Sequence, residues 1–232
     1  QKIDRLDARL LLQYATGCSH TDLLARPETP VSSAAYTQFA AWVERRTAGE
    51  PLAYLVGETE FRGRVFQVSP AVLIPRPETE MLIDLALEKL RGMAAPKVLD
   101  LGTGSGIVAI SLALECPAGT VVAVDLAKEA ISTARTNAGR LGAQVDFRHG
   151  DWFAPVAGER FDLIVSNPPY IADDEWSETD PGLGFEPRLA LSGGPDGLAD
   201  IRRIVSAAPA HLDSGGWLLL EHGYDQAQRV QA

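Results

Sequence analysis

Three short stretches carry residues whose types and order suit the binding of one ligand. "DLGTGSG" sets Gly102, Gly104 and Gly106 between an apolar strand pattern and a helical one. Glycines let the chain turn sharply and let a ligand approach the backbone with no Cβ in the way. The spacing is G-x-G-x-G, not the G-x-G-x-x-G of dinucleotide binders. Asp125 ends the next strand pattern, where an acid can accept both hydroxyls of a ribose. Asp151 and Trp152, in "GDWF", follow a third strand. There an acid can accept from an exocyclic amine while an indole packs against the ring. Each feature has a plainer reading: a tight turn, a helix cap, a core indole. Together, at successive strand ends, they describe a site for an adenosine-bearing cofactor without a pyrophosphate.

Alternating elements must place these residues. From Pro75 onward strands over 97–101, 120–125, 144–149 and 161–166 alternate with helices over about 105–114 and 127–141. A further helix over about 197–212 leads to a strand within "GGWLLLEHG". Nearly all-apolar strands separated by helices indicate a parallel sheet covered on both faces, with ligands beyond the carboxyl ends of its strands. Ahead of it, residues 1–47 read as a small helical domain. Ile3, Leu6, Leu10 and Leu11 form a stripe, Ser19 opens a short turn, and Ser32 caps a helix carrying Tyr36, Phe39 and Val43 on one face with Trp42 beside them. Residues 48–74 read as a linking β-hairpin, β in pattern from Tyr54 and turning at "RGR". Residues 75–232 are the catalytic domain.

The cofactor residues resemble those of the class I S-adenosyl-L-methionine-dependent methyltransferases, an α/β class with a Rossmann-like, doubly wound sheet. Asp100 with Gly102, Thr103, Gly104, Ser105 and Gly106 is similar to their first motif, Asp125 to the ribose acid, and Asp151-Trp152 to the adenine end. In that fold the fourth strand ends beside the reactive methyl group, and here it ends in "NPPY", Asn167 to Tyr170. An ordinary Asn-Pro turn is the plain reading. The chemical one is a grip on a planar, conjugated –NH2, whose lone pair is delocalised and must be aimed at the methyl carbon. The Asn167 side-chain carbonyl and a backbone carbonyl of Pro168 or Pro169 would accept its two N–H bonds. Proline adds no competing N–H and fixes φ; Tyr170 could lie against the planar group. Adenine N6, cytosine N4 and a glutamine amide all fit these residues.

Other stretches narrow the acceptor. "LIPRPETE" (73–80) holds Arg76 between two prolines, with Glu78 and Glu80 suiting a helix start. "FEPRLALSGGPDGLADIRRI" (185–204) contains Glu186 and could be a lid leading to a helix. With "LLLEHG" and the helical N-terminal domain, these closely resemble the protein-(glutamine-N5) methyltransferases that modify peptide chain release factors. The resemblance runs from about Leu6 to the end. It implies methyl transfer to the glutamine of the Gly-Gly-Gln loop of class 1 release factors. Asn167, Pro168, Pro169 and Tyr170 would hold the acceptor, joined by Arg76 and Glu186, and Asn167 would also border the cofactor. Two other acceptors share the motifs: an adenine N6 of DNA or RNA, and a glutamine of a ribosomal protein. The class usually closes its sheet with a strand hairpin after the fifth strand, whereas this chain stops at Ala232 within a helix expected from about Asp225. Further C-terminal strands are therefore expected beyond it.

Composition bounds the rest. The 232 residues carry a formal net charge of -10, and basic residues cluster no further than the pairs Arg45-Arg46 and Arg202-Arg203. That disfavours a nucleic-acid partner. Cys18 and Cys116 read as free thiols in a reducing compartment, and the four histidines show no metal-ligand spacing. No run of 18 apolar residues is present. The expectation is a soluble, cytoplasmic, monomeric enzyme with no metal and no membrane partner.

Overall fold

The computed structural model describes residues 3–175 and 182–231. They form two compact units, one of residues up to Glu58 together with 182–185, the other of the remainder.

The first unit is helical. Helix α1 (Arg5–Thr16) starts where the Asp4 carboxylate accepts from the Leu6 N–H and ends at Gly17 with φ 70°. Helix α2 (His20–Ala25) begins with a reciprocal pair, the Ser19 hydroxyl accepting from Asp22 N and the Asp22 carboxylate accepting from Ser19 N. Ser19 thus opens a helix rather than a turn. Helix α3 (Ser33–Thr47) is capped by Ser32, as expected. Its inward face runs through Ala35, Phe39, Trp42 and Val43, so Tyr36 lies off the stripe and is 66% exposed. Leu6 is likewise half exposed, and Leu11 is the fully buried residue of α1. Helix α4 (Leu52–Val56) buries Tyr54 and Leu55 and ends at Gly57 with φ 79°. Tyr54 is therefore helical and not β. A five-residue apolar run has no period long enough to tell the two apart, and the left-handed glycine that ends it decides for the helix.

The second unit begins at Thr59, within strand β1 (Glu58–Phe61), which pairs with β2 (Arg64–Gln67) as a hairpin. Arg62 and Gly63 both have positive φ, 49° and 69°, the two-residue turn that matches the twist of antiparallel strands. Helix α5 (Thr79–Leu90) precedes a parallel sheet of β3 (Lys97–Leu101), β4 (Thr120–Asp125), β5 (Asp146–His149), β6 (Phe161–Ser166) and β7 (Leu212–Leu220). Its order is β5-β4-β3-β6-β7. Helices α6 (Ile107–Glu115), α7 (Lys128–Leu141) and α8 (Ala199–His211) connect the strands, and α9 (Ala227–Gln231) follows.

Side-chain alternation along the strands builds two cores. Val98, Val121, Ala123, Leu163 and Val165 pack with α5, α6 and α7 on one face. Leu99, Leu101, Val122, Val124 and Ile164 meet Ile204 and Ala208 of α8 on the other. Each fully buried Val, Leu or Ile among them contributes about 1.5–3 kcal/mol. The order reverses at β3, whose neighbours are β4 and β6, and a crevice at that switch point is where such sheets bind ligands.

Candidate functional site

A cavity of about 220 Å³ lies in the second unit, over the carboxyl ends of the sheet. Its wall includes Gly102 to Ser105, Asp125, Gly150 to Trp152, Asn167 and Pro169. The glycine loop is anchored to the backbone of its neighbour strand, since Gly102 N and Thr103 N both donate to the Val124 carbonyl at 2.9 and 3.0 Å. Gly102, Gly104 and Gly106 are all left-handed, with φ of 73°, 56° and 86°. Their duties differ. A Cβ on Gly104 would meet nothing within 4 Å, whereas one on Gly106 would sit 2.8 Å from Ile110 Cδ1 and 3.0 Å from Ala134 Cβ. Gly104 therefore serves the left-handed turn of the loop, and Gly106 lets α6 and α7 close behind it.

Two acids brace the loop. Asp100 is buried, and one oxygen accepts from Thr103 Oγ1 at 2.7 Å and from Ala109 N at 3.2 Å. Burial pushes its carboxyl up to about 7, those two hydrogen bonds opposing the rise and the nearby Asp125 adding to it. Asp125 accepts from Gly104 N through one oxygen and from Ala127 N through the other, both at 2.8 Å. Burial raises this carboxyl too, against those backbone bonds. Each Asp125 oxygen keeps a lone pair, so the carboxylate is aimed, immobile and able to accept two further hydrogens.

The adenine-end residues differ from the simple expectation. Asp151 accepts from Arg203 Nη2 at 2.5 Å, and Trp152 holds φ 43° while its indole N–H donates to Asp200 at 3.3 Å. The Trp152 ring covers Gly102, 3.5 Å from where a Cβ would lie. Asp200 and Arg203 also line the cavity, and a reading of strand ends could not find them because they come from the start of α8.

At the NPPY stretch, Asn167 and Pro169 line the cavity. The Asn167 side-chain N–H donates to Thr79 Oγ1 at 3.3 Å. The Tyr170 hydroxyl turns to Glu221, donating to Oε1 at 3.4 Å, and burial followed by the Glu221 charge pushes the phenol up to about 12. Thr79 donates to the other Glu221 oxygen at 2.8 Å. Burial raises Glu221, opposed by its hydrogen bonds to Thr79, Tyr170 and Asn167. Glu221 follows β7 as Asp125 ends β4, so the strand-end rule could have found it; Thr79 was hidden as an ordinary helix start.

The loop behind NPPY is built to touch it. Gly193 N donates to the Ile171 carbonyl and Ile171 N to that of Leu191, at 2.8 and 2.9 Å. A Cβ on Gly197 would lie 2.4 Å from the Tyr170 oxygen, and one on Gly193 2.7 Å from the Pro169 oxygen. Gln226, buried, donates to the same Tyr170 carbonyl at 2.8 Å. Arg76 and Glu186 are paired with each other at 2.5 Å, and Glu186 also accepts from Ile74 N at 3.1 Å. Arg76 lines the cavity; Glu186 is buried behind it and latches the segment that follows.

Residues 1–57 match the PrmC N-terminal domain, and residues 79–179 match the methyltransferase small domain. A release factor glutamine methyltransferase of Bordetella pertussis is 50% identical over 234 residues, covering 99% of this chain and 86% of that protein. The chain belongs to the release factor glutamine methyltransferase family. Another member, from Burkholderia pseudomallei, is 48% identical and spans 99% of this chain and 83% of its own. The family's sheet is shared more widely. A 16S rRNA N2 methyltransferase of T. thermophilus, solved with AdoMet and guanosine, superposes with TM-score 0.51 at 22% identity, over 75% of this chain and 43% of that one. The fold is that of a class I methyltransferase.

The family's cofactor can be tested against the cavity. A nucleoside with a ribose diol and a planar base needs paired acceptors, a backbone cradle and an apolar clamp. Asp125, the Gly102–Ser105 backbone and Trp152 with Leu126, all lining the cavity, supply these. The residues fit S-adenosyl-L-methionine.

Proposed function

We propose that this chain transfers the methyl group of S-adenosyl-L-methionine to the side-chain amide nitrogen (N5) of the glutamine in the Gly-Gly-Gln loop of class 1 peptide chain release factors. The observation that carries this reading is Asn167 on the wall of the cavity that holds Asp125 and the glycine loop, in a chain of this family. The cofactor, when bound, supplies an electrophilic methyl on a sulfonium centre. Asp125 accepts the ribose hydroxyls, and the Gly102–Gly106 backbone borders the amino-acid end with Asp100 and Thr103 holding its shape. Trp152 packs on the base. Asp151 bears on the adenine amine, with Arg203 fixing its carboxylate.

The acceptor residues act by orientation. The Asn167 carbonyl accepts one amide N–H. Pro168 supplies the second acceptor, because the Pro169 oxygen faces Gly193 and the Tyr170 oxygen takes Gln226. Gripping both N–H bonds turns the nitrogen, rather than the more nucleophilic amide oxygen, toward the methyl carbon. The chain needs no strong base, since the N-alkylated amide is acidic and loses its proton to water. Arg76, held by Glu186, lies at the acceptor side. The helical first unit serves as the module that selects the protein partner, since a single loop offers too little surface for specific recognition. Among the described residues no helix is long and apolar enough to cross a membrane. The reading places a monomer in the cytoplasm, with a protein and not a nucleic acid as substrate.

Radiolabelled cofactor with a class 1 release factor tests the proposal. Label is expected on the release factor and absent when its Gly-Gly-Gln glutamine is changed to alanine. Undiminished label in that variant, or label on DNA or on a ribosomal protein instead, would overturn it.

A further inference from the structure

The hydrogen bonds behind Asn167 have a direction, and that direction decides which end of its amide meets the substrate. Glu221 ends the sheet next to β6, its N–H donating to the Ser166 carbonyl at 3.0 Å. An ionised carboxylate only accepts. Thr79, 1% exposed at the start of α5, has one hydroxyl hydrogen, and it goes to Glu221 Oε2 at 2.8 Å. Only lone pairs of that hydroxyl remain for Asn167, which donates to it at 3.3 Å. The Asn167 amide thus faces Thr79 and Glu221 with its NH2, and its carbonyl is left for the cavity.

We propose that Glu221 and Thr79 are positioning residues that lock the Asn167 amide in the orientation that accepts from the methyl-acceptor nitrogen. This rests on the glutamine-methylation reading. An acceptor –NH2 brings two donors. A flipped Asn167 would set its own NH2 against them, losing one hydrogen bond and opposing like dipoles. Asparagine has no preference of its own between the two orientations, because its oxygen and nitrogen ends are nearly the same size. The preference is imposed from behind, by a carboxylate whose oxygens both accept. Tyr170 closes the other side of the same carboxylate, donating to Oε1 at 3.4 Å, so both oxygens of Glu221 are committed as acceptors. The charged neighbours of the cluster are Glu78 and Arg76, both from the segment leading into α5.

Two matched pairs of full-length variants test this. Glu221→Met keeps the size and removes the acceptors, while Glu221→Gln keeps an acceptor facing Thr79. Thr79→Val removes the hydroxyl, while Thr79→Ser keeps it. With a release factor as substrate, kcat is expected to fall about 100-fold in Glu221→Met and about tenfold in Thr79→Val, the size of effect that follows from misplacing a reacting group. Thr79→Ser should stay near wild type, and Glu221→Gln, which keeps one acceptor but gains a donor, should fall between wild type and Glu221→Met. The KM for the release factor and the calorimetric cofactor affinity should be unchanged throughout, the latter also reporting a folded protein. Wild-type kcat in both disruptive variants, or equal losses within each pair, overturns the inference. If Glu221→Met does not fold, the Thr79 pair decides alone by the same criterion. A wild-type enzyme that labels no release factor would remove the functional reading and this inference with it. Normal wild-type labelling with indifferent variants would remove only the inference.

Discussion

The two halves of the cavity are built from different material. Around the glycine loop the positioning contacts are local and rest on backbone donors: the Gly102 and Thr103 N–H groups on the Val124 carbonyl, and the Gly104 and Ala127 N–H groups on the Asp125 carboxylate at the end of the same strand. On the acceptor side the geometry depends on side chains from distant segments, Thr79 meeting Asn167 across 88 positions and Glu221 across 142. Backbone contacts within adjacent strand ends form whenever the sheet forms. A side-chain network depends on each member separately, and one substitution can reverse its polarity. The site therefore joins a robust binding floor to a fragile orienting rim.

That contrast can be broken or sharpened by experiment. The largest effect is expected from Asn167→Ala, which should lower methyl transfer by roughly 100- to 1,000-fold, as loss of one preorganised polar contact does. Calorimetry should show cofactor affinity changing far less than turnover. Next comes a pair of glycine changes. Gly197→Ala places a Cβ 2.4 Å from the Tyr170 oxygen at φ +72°, so the NPPY backbone must shift. Saturating kcat should fall about 100-fold. Gly104→Ala enters open space, and its cost is the left-handed φ, about 1–2 kcal/mol. Cofactor binding should weaken while kcat at saturation is kept. Equal kcat losses in the two would erase the division between floor and rim.

A smaller effect concerns pH. Burial pushes Asp100 from the ordinary carboxylate range up to about 7, so the folded protein binds a proton there more readily than the unfolded chain. Its contribution to stability is therefore greatest at low pH and declines as pH rises from near 4 to near 7. Both donors to Asp100 use one oxygen, so Asp100→Asn can keep both bonds. Thermal melts should show wild type losing stability relative to Asp100→Asn across that interval and holding a constant difference above it. A difference independent of pH would contradict this. The smallest effect is expected away from the cavity: Leu24 and Tyr36, 69% and 66% exposed in the first unit, are candidates for partner contact. Changing both to serine should raise the release-factor KM several-fold, as truncating interface apolar residues does, with cofactor affinity unmoved.

The division also explains what could be read from the sequence. Strands 97–101, 120–125 and 161–166 fall where their apolar runs end, because buried parallel strands are written as such runs. Gly102, Asp125, Trp152 and Asn167 were legible because each stands at a strand end, and topology alone brings them to one cavity. Thr79, Asp200 and Arg203 were not, since each also makes sense as part of a helix and its second duty depends on a tertiary neighbour. Tyr170 illustrates the same limit. Its place in NPPY was plain, but its hydroxyl is directed by Glu221, which no local pattern connects to it. In the first unit, short apolar stretches such as Leu52–Val56 carried too little period to separate helix from strand.

The central claim is that the cavity orients a glutamine amide nitrogen toward the bound methyl donor. Fragment mass spectrometry of a release factor, after reaction with the full-length chain and S-adenosyl-L-methionine, tests it most directly. A single added methyl is expected on the side-chain nitrogen of the Gly-Gly-Gln glutamine, absent with Asn167→Ala. A methyl on any other residue, or on the amide oxygen, would contradict it.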